Sequence, residues 1–142
     1  MAAKVYSFED HRVVLSHPDV GTMRLSDGGI GRVVVAYSGE NSRLTNSADG
    51  GVVVNKIKNN SGSINIDILQ TSEASAWMKR FVNYLKTAPT KRYALGKLVI
   101  TGVDGETTTC TGVVPQKMAD ISYDAEAQSR SWALLAADVV MK

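Results

Sequence analysis

Two histidines, one cysteine, a pair of adjacent carboxylates and a glycine cluster are where this sequence could do chemistry. Each is weak in its setting. His11 and His17 fall on or beside a β-patterned segment, with no Cys or His partner at the spacing a zinc site needs. Both read as surface or packing residues, and no metal is expected. Glu9 and Asp10 are neighbours in an extended stretch, so their side chains project to opposite sides and make a poor acid–base pair. Gly28-Gly29-Ile30-Gly31 has the composition of a phosphate cradle, but such loops feed the N-terminus of a helix and this one feeds a strand. Cys110 stands alone among threonines and can form no internal disulfide. No nucleophile elbow, Walker A pattern or metal-binding helix motif occurs. The expectation is a protein without catalysis and without a cofactor.

The elements that would position any site are organised around residues 61–89. Ile64, Ile66 and Ile68 alternate with Ser63, Asn65 and Asp67, a period of two that predicts a strand with one apolar and one wettable face. Thr71 and Ser72 offer hydroxyl caps, and Glu73 suits the positive end of a helix dipole. Ala74, Trp77, Met78, Phe81, Val82 and Leu85 then fall on one stripe of a helix over about 72–87, stopped by Pro89.

Around this unit the chain reads as β. Lys4–Phe8, Arg12–Ser16, Gly21–Ser26 and Ile30–Ser38 are predicted strands, with turns at His17-Pro18-Asp19 and Asp27-Gly28-Gly29. Val33-Val34-Val35 is the pattern of a strand covered on both faces. Gly39 to Gly51 is polar, holds one large aliphatic residue, and is longer than most connections in a compact domain, which marks it as functional, mobile or ordered by a partner. Its closing Gly50-Gly51 would also let it extend as a hairpin arm. Val52–Lys58 reads as a strand and Asn59-Asn60-Ser61-Gly62 as a tight hairpin turn. Beyond the helix come Leu95–Thr101, a turn at Gly102–Gly105 containing Asp104, and Glu106–Val114, ended by Pro115. Lys117–Tyr123 and Arg130–Met141 supply the last strands, although the alanines in Trp132–Val139 also suit a helix. The count is about eight or nine strands and one helix in a single domain, 1–142.

Composition bounds the partners. A net charge of +2 is too mild to require nucleic acid. No run of membrane length and no signal-peptide pattern is present, so a soluble, unprocessed protein made inside the cell is expected, and the Asn59-Asn60-Ser61 sequon reads as accidental. Between Ala74 and Val103 there are six basic residues and no acidic one. They read either as a solvated helix face or as a docking surface for an acidic protein. Exposed sheet edges and a long polar loop both point toward assembly.

Val5-Tyr6-Ser7-Phe8-Glu9-Asp10, Ser47-Ala48-Asp49-Gly50 and Asn60-Ser61-Gly62-Ser63-Ile64-Asn65-Ile66-Asp67-Ile68-Leu69-Gln70-Thr71-Ser72 together resemble the tail tube proteins of contractile-tailed bacteriophages. The resemblance implies a mainly β fold, a tail-tube-type β-sandwich or barrel with one flanking helix (about 72–87) and a long inter-ring loop (about 39–51). It implies hexameric rings of the chain with itself, stacked helically into a hollow tube inside a contractile sheath, with DNA passing through without sequence-specific binding. Partners would be the tail sheath protein, baseplate hub, tail terminator and tape measure protein, with no membrane. The location would be the virion, after synthesis in the host bacterial cytoplasm. On this reading Tyr6, Phe8, Glu40, Arg43, Asp49, Gly50, Lys56 and Lys58 are inter-ring or inter-subunit contacts. Lys79, Arg80, Lys86 and Lys91 face the sheath, and Asp67, Thr107, Thr109 and Thr111 are candidates for the lumen. Alternatives are the ring protein of a bacterial secretion system and, in another class, a small-ligand-binding β-barrel.

Overall fold

A computed structural model describes residues 3, 5–7, 10–24, 30–102 and 105–142. The expectations for Lys4, Phe8, Glu9, Leu25, Asp27-Gly28-Gly29 and Asp104 lie outside the described residues. In chain order the strands are β1 (Arg12–His17), β2 (Gly21–Arg24), β3 (Ile30–Tyr37), β4 (Ser42–Asn46), β5 (Val52–Lys56) and β6 (Gly62–Leu69). The helix α1 (Glu73–Thr87) and a 3-10 turn at Thr90–Arg92 follow, then β7 (Gly96–Thr101), β8 (Thr107–Pro115), β9 (Ser129–Ala136) and β10 (Asp138–Met141).

All pairings are antiparallel. Eight strands join in the order β2-β1-β7-β8-β9-β6-β3, with β10 also on β8, while β4 and β5 pair only with each other. Strand β8 is the corner. Its first residues lie between β7 and β10, and its last two, Val114 and Pro115, pair with Leu135 and Leu134 of β9. Gly112 makes the corner possible. It is the extra residue between the Lys97–Thr111 and Gly96–Val113 partners, it adopts φ +65, and a Cβ there would lie 2.7 Å from the Cβ of Ala137. A bulge of this kind bends a strand and resets its alternation. Both Cys110 and Val113 therefore face inward. The strand that follows breaks at the same place, since Ala137 separates β9 from β10 and donates its N–H to the Thr111 carbonyl at 3.1 Å.

The two halves of this bent sheet enclose one core. Val13, Leu15 and Leu98 come from the first half, and Ile64, Ile66, Ile68, Trp132 and Leu134 from the second. All are at most 1 % exposed. Helix α1 joins β6 to β7 and closes the core with Trp77, Met78, Phe81, Val82 and Leu85, as its periodicity predicts. Ser72 caps it, its hydroxyl accepting the Ala74 N–H at 3.2 Å, and Ala88 at φ −71, ψ 147 ends it just before Pro89. Burying Phe81 and Trp77, stacked with ring centroids 5.2 Å apart, contributes on the order of 2–3 kcal/mol each before ordering entropy is subtracted.

Several sequence expectations are corrected. The described residues of Lys4–Phe8, and all of Lys117–Tyr123, form no strand. The second segment instead spans the gap from β8 to β9 and tucks Met118 and Ala119 against the core without pairing. Val33, Val34 and Val35 are only partly covered, because β3 is an edge strand of the sheet. Asn59–Gly62 is not a hairpin turn, since β6 pairs with β3 and β9 and β5 pairs with β4.

Candidate assembly surfaces

The predicted loop 39–51 is half of an arm. β3 leaves the sheet at Tyr37, and the Ser38 N–H still bonds the Ser61 carbonyl at 3.0 Å. Beyond that the chain forms its own ladder, Ser42–Asn46 against Val52–Lys56, closed at its base by the Ile57 N–H on the Asn41 carbonyl at 2.9 Å. The hairpin reading is correct, and the irregular loop is not. The tip is preorganised. Gly50 takes φ +90, and the Asp49 carboxylate accepts the Gly51 N–H at 3.1 Å and the Ser47 hydroxyl. These donors hold the Asp49 carboxyl below its ordinary range.

Every residue of β4 and β5 is exposed. Leu44 lies opposite Val54 on one face, with Val52 beside them, at 63 %, 67 % and 58 % exposure. A two-stranded ribbon is marginal by itself in water, and three exposed aliphatic side chains on one face of it invite cover. Side-chain bonds add to the arm's ladder: Asn55 Nδ2 donates to the Arg43 carbonyl and to Thr45 Oγ1, at 3.1 and 2.8 Å. The exposed Glu40–Arg43 pair at 3.4 Å adds little. The predicted contact residues thus divide. Asp49 and Gly50 are at the tip, and Glu40, Arg43, Lys56 and Lys58 are at the base. The sequence pointed to polar and glycine residues here and missed Leu44, Val52 and Val54; the valine run of β5 was the available signal.

Tyr6 is exposed and stands 5.1 Å from the His11 ring, while His11 Nδ1 lies 3.1 Å from the Ser7 carbonyl. Phe8 lies outside the described residues. Lys79, Arg80 and Lys86 project from the outer side of α1, and Lys91 lies just beyond it; all are exposed. Arg92, from the same basic run, is otherwise engaged. It grips Asp19 with two bonds of 2.7 and 2.6 Å, and the Tyr84 hydroxyl donates to the same carboxylate at 2.8 Å. These partners hold Asp19 well below the usual carboxylate range, Arg92 first. His17, buried against Phe81 and Tyr84, donates from Nε2 to the Arg92 carbonyl at 2.9 Å and accepts the Asp19 N–H on Nδ1 at 3.1 Å. It is a latch between the β1–β2 turn and the end of the helix, a packing residue as its sequence setting implies.

The lumen candidates are not brought together. Thr107, Thr109 and Thr111 lie on the side of the first half-sheet that faces away from the core, among Arg12, Arg24, Lys97 and Asp138. Asp67 lies on the corresponding side of the second half, with Asn65, Arg32 and Ser131, whose hydroxyl bonds the Asp67 carboxylate at 2.5 Å. The core separates the two faces. Among the described residues no group of His, Cys, Asp and Glu could hold a metal ion.

A scan of protein families matches the bacteriophage PhiTE tail tube protein over residues 3–142. Curated proteins give no match to the chain. Among solved structures the fold is similar to the sheath/tube terminator of the extracellular contractile injection system PVC, at TM-score 0.61 and 12 % identity over 99 % of this chain and 98 % of that one. The tube-terminating cap of the anti-feeding prophage gives TM-score 0.62 and 10 % identity, over 100 % and 94 %. A chain of the PVC sheath-tube complex gives 0.56 and 15 %, over 92 % and 88 %. At these identities the likeness concerns the fold, a mainly β architecture with one helix. The family match, which spans nearly the whole chain, carries more: this protein belongs to the bacteriophage PhiTE tail tube protein family, structural components of the phage tail.

Proposed function

We propose that the chain, as a single tail tube domain, assembles into hexameric rings that stack into the hollow inner tube of a contractile tail. The observation that carries this reading is the arm, a preorganised ribbon whose residues, aliphatic ones included, are all exposed. Seated on the adjacent ring, Leu44, Val52 and Val54 would be covered and the tip at Asp49 and Gly50 would set the reach. The open edge of β3 gives a second means of joining subunits by strand addition.

The lumen belongs to the outward side of β3, β6 and β9. That face carries Ser63, Asn65, Asp67, Ser129 and Ser131, with Arg32 as the cation opposite Asp67. The other face carries Arg12, Arg24 and Lys97 against Asp138, and a basic lining would retain phosphates rather than let them slide. Asp67 therefore stays a lumen residue and Thr107, Thr109 and Thr111 move to the outside. Sheath, baseplate hub, terminator and tape measure are the implied partners. The role is mechanical, with no catalytic step, in a particle assembled in the host bacterial cytoplasm.

The test replaces residues 41–57 by a short glycine-containing turn. The Ser38–Ser61 bond keeps the base of β3 and β6 together, so the variant should fold with a near-native melting temperature. In negative-stain electron microscopy it should give single rings at most where the parent gives tubes. Long tubes from the armless variant would remove the arm from the stacking contact.

A further inference from the structure

A cleft of about 120 Å³ opens between the end of α1 and the end of β8. Apolar side chains, Leu85, Pro115 and Met118 among them, line it together with Lys86, Gln116 and Lys117. A cavity of about 150 Å³ encloses a benzene ring, so this smaller, open cleft can seat the edge of one aromatic side chain and leave the rest outside. Lys86 belongs to the stretch from Ala74 to Val103 that has six bases and no acid. Apolar side chains beside two lysines suit an aromatic residue flanked by carboxylates.

The same chain presents such a segment elsewhere. Residues 120–128 hold Asp120, Asp124 and Glu126 and no Lys or Arg. In their midst Tyr123 is 85 % exposed, so it does not occupy its own cleft. The segment's ends are fixed: the Gln116 N–H bonds the Ala133 carbonyl at 2.9 Å, and the Gln128 carbonyl accepts the Gln70 N–H at 3.0 Å. Asp120 reaches Lys117 at only 3.9 Å, with both side chains exposed, a pair that yields easily to a better partner.

We propose that Tyr123 and its flanking carboxylates dock into the Lys86–Lys117 cleft of a second copy of this chain. With one socket and one plug used at each interface the contact runs head-to-tail, the kind that closes into a ring when its rotation permits. The proposal rests on the ring reading and assigns that ring a lateral contact. Tyrosine anchors in desolvated pockets carry a large share of interface energy, and charge matching at the rim fixes partner and register.

The test mixes two purified variants, Gln116→Cys in the cleft and Ser122→Cys beside the intact Tyr123 of the plug, under mild oxidation. The native Cys110 is fully buried and its thiol is pushed up to about 11, so it stays out of the reaction. A cross-linked dimer containing one copy of each variant, abolished by Lys86→Glu with Lys117→Glu in the cleft copy, supports the contact. In that charge-reversed background, Asp124→Lys with Glu126→Lys in the plug copy should restore it. Tyr123→Ala in the otherwise native chain should raise the concentration needed for ring formation by about tenfold or more, with its circular dichroism unchanged. No mixed cross-link, from a parent that does form rings, overturns the contact and leaves the ring reading standing. A mixed cross-link from a parent that never forms rings or tubes, with or without baseplate, overturns the ring reading, and the contact remains as a dimer.

Discussion

The arm and the helix stripe are both amphipathic and differ in everything else. In α1 the apolar residues Trp77, Met78, Phe81, Val82 and Leu85 are at most 5 % exposed. In the arm Leu44, Val52, Val53 and Val54 are at least 57 % exposed. The first set is satisfied within one subunit and supports its stability. The second contributes almost nothing to a lone subunit, and on the proposed function it is what the adjacent ring covers. Burial within the subunit separates the two sets.

Substitutions can break that contrast. The largest effect on stability is expected from Phe81→Ala, which empties the space against Trp77 and His17; about 3–5 kcal/mol should be lost in a urea melt. If that loss is under about 1 kcal/mol, the stripe is not what holds the body together. A smaller, pH-dependent effect belongs to the Asp19 latch. Its folded-state carboxyl lies below the unfolded value, so its contribution is present above about pH 4 and is lost as pH falls through that value and below. Asp19→Asn should flatten the fall in melting temperature between about pH 5 and pH 2.5, and an unchanged slope would mean that other carboxylates set it. The smallest stability change, within about 0.5 kcal/mol, is expected from Leu44→Ser with Val54→Ser. That variant should nevertheless lose tube formation in electron microscopy, and a matching drop in monomer stability would show that the arm packs on its own body.

What was legible in the sequence was local. Strand β6 and helix α1 carry their periods within a few residues, and the cap at Ser72 and the stop before Pro89 lie beside them, so the unit could be read without knowing its neighbours. The arm was half legible. β5 shows itself through three valines, but β4 holds one aliphatic residue, and its identity as a strand depends on pairing with β5 across the tip. Val33-Val34-Val35 misled because an unbroken valine run fits an open edge half-covered on each face as well as a buried strand. Lys117–Tyr123 misled because a crossing segment with no ladder can bury Ala119 and half-bury Met118. The lumen candidates could not be sorted at all. Asp67 and the threonines of β8 alternate in the same way, and only the course of β8 around Gly112 puts them on opposite sides of the core.

That corner has a mechanical meaning. Two stacked sheets held by side chains alone can slip past each other along the plane between them, and a subunit driven lengthwise would feel such a shear. Here β8 is threaded through both sheets, bonded to β7 and β10 at one end and to β9 at the other. Slip would have to tear backbone ladders on both sides of Gly112 together. The body has no easy glide plane, and a thrust applied at one end of a stack would be passed on as displacement instead of being spent as deformation.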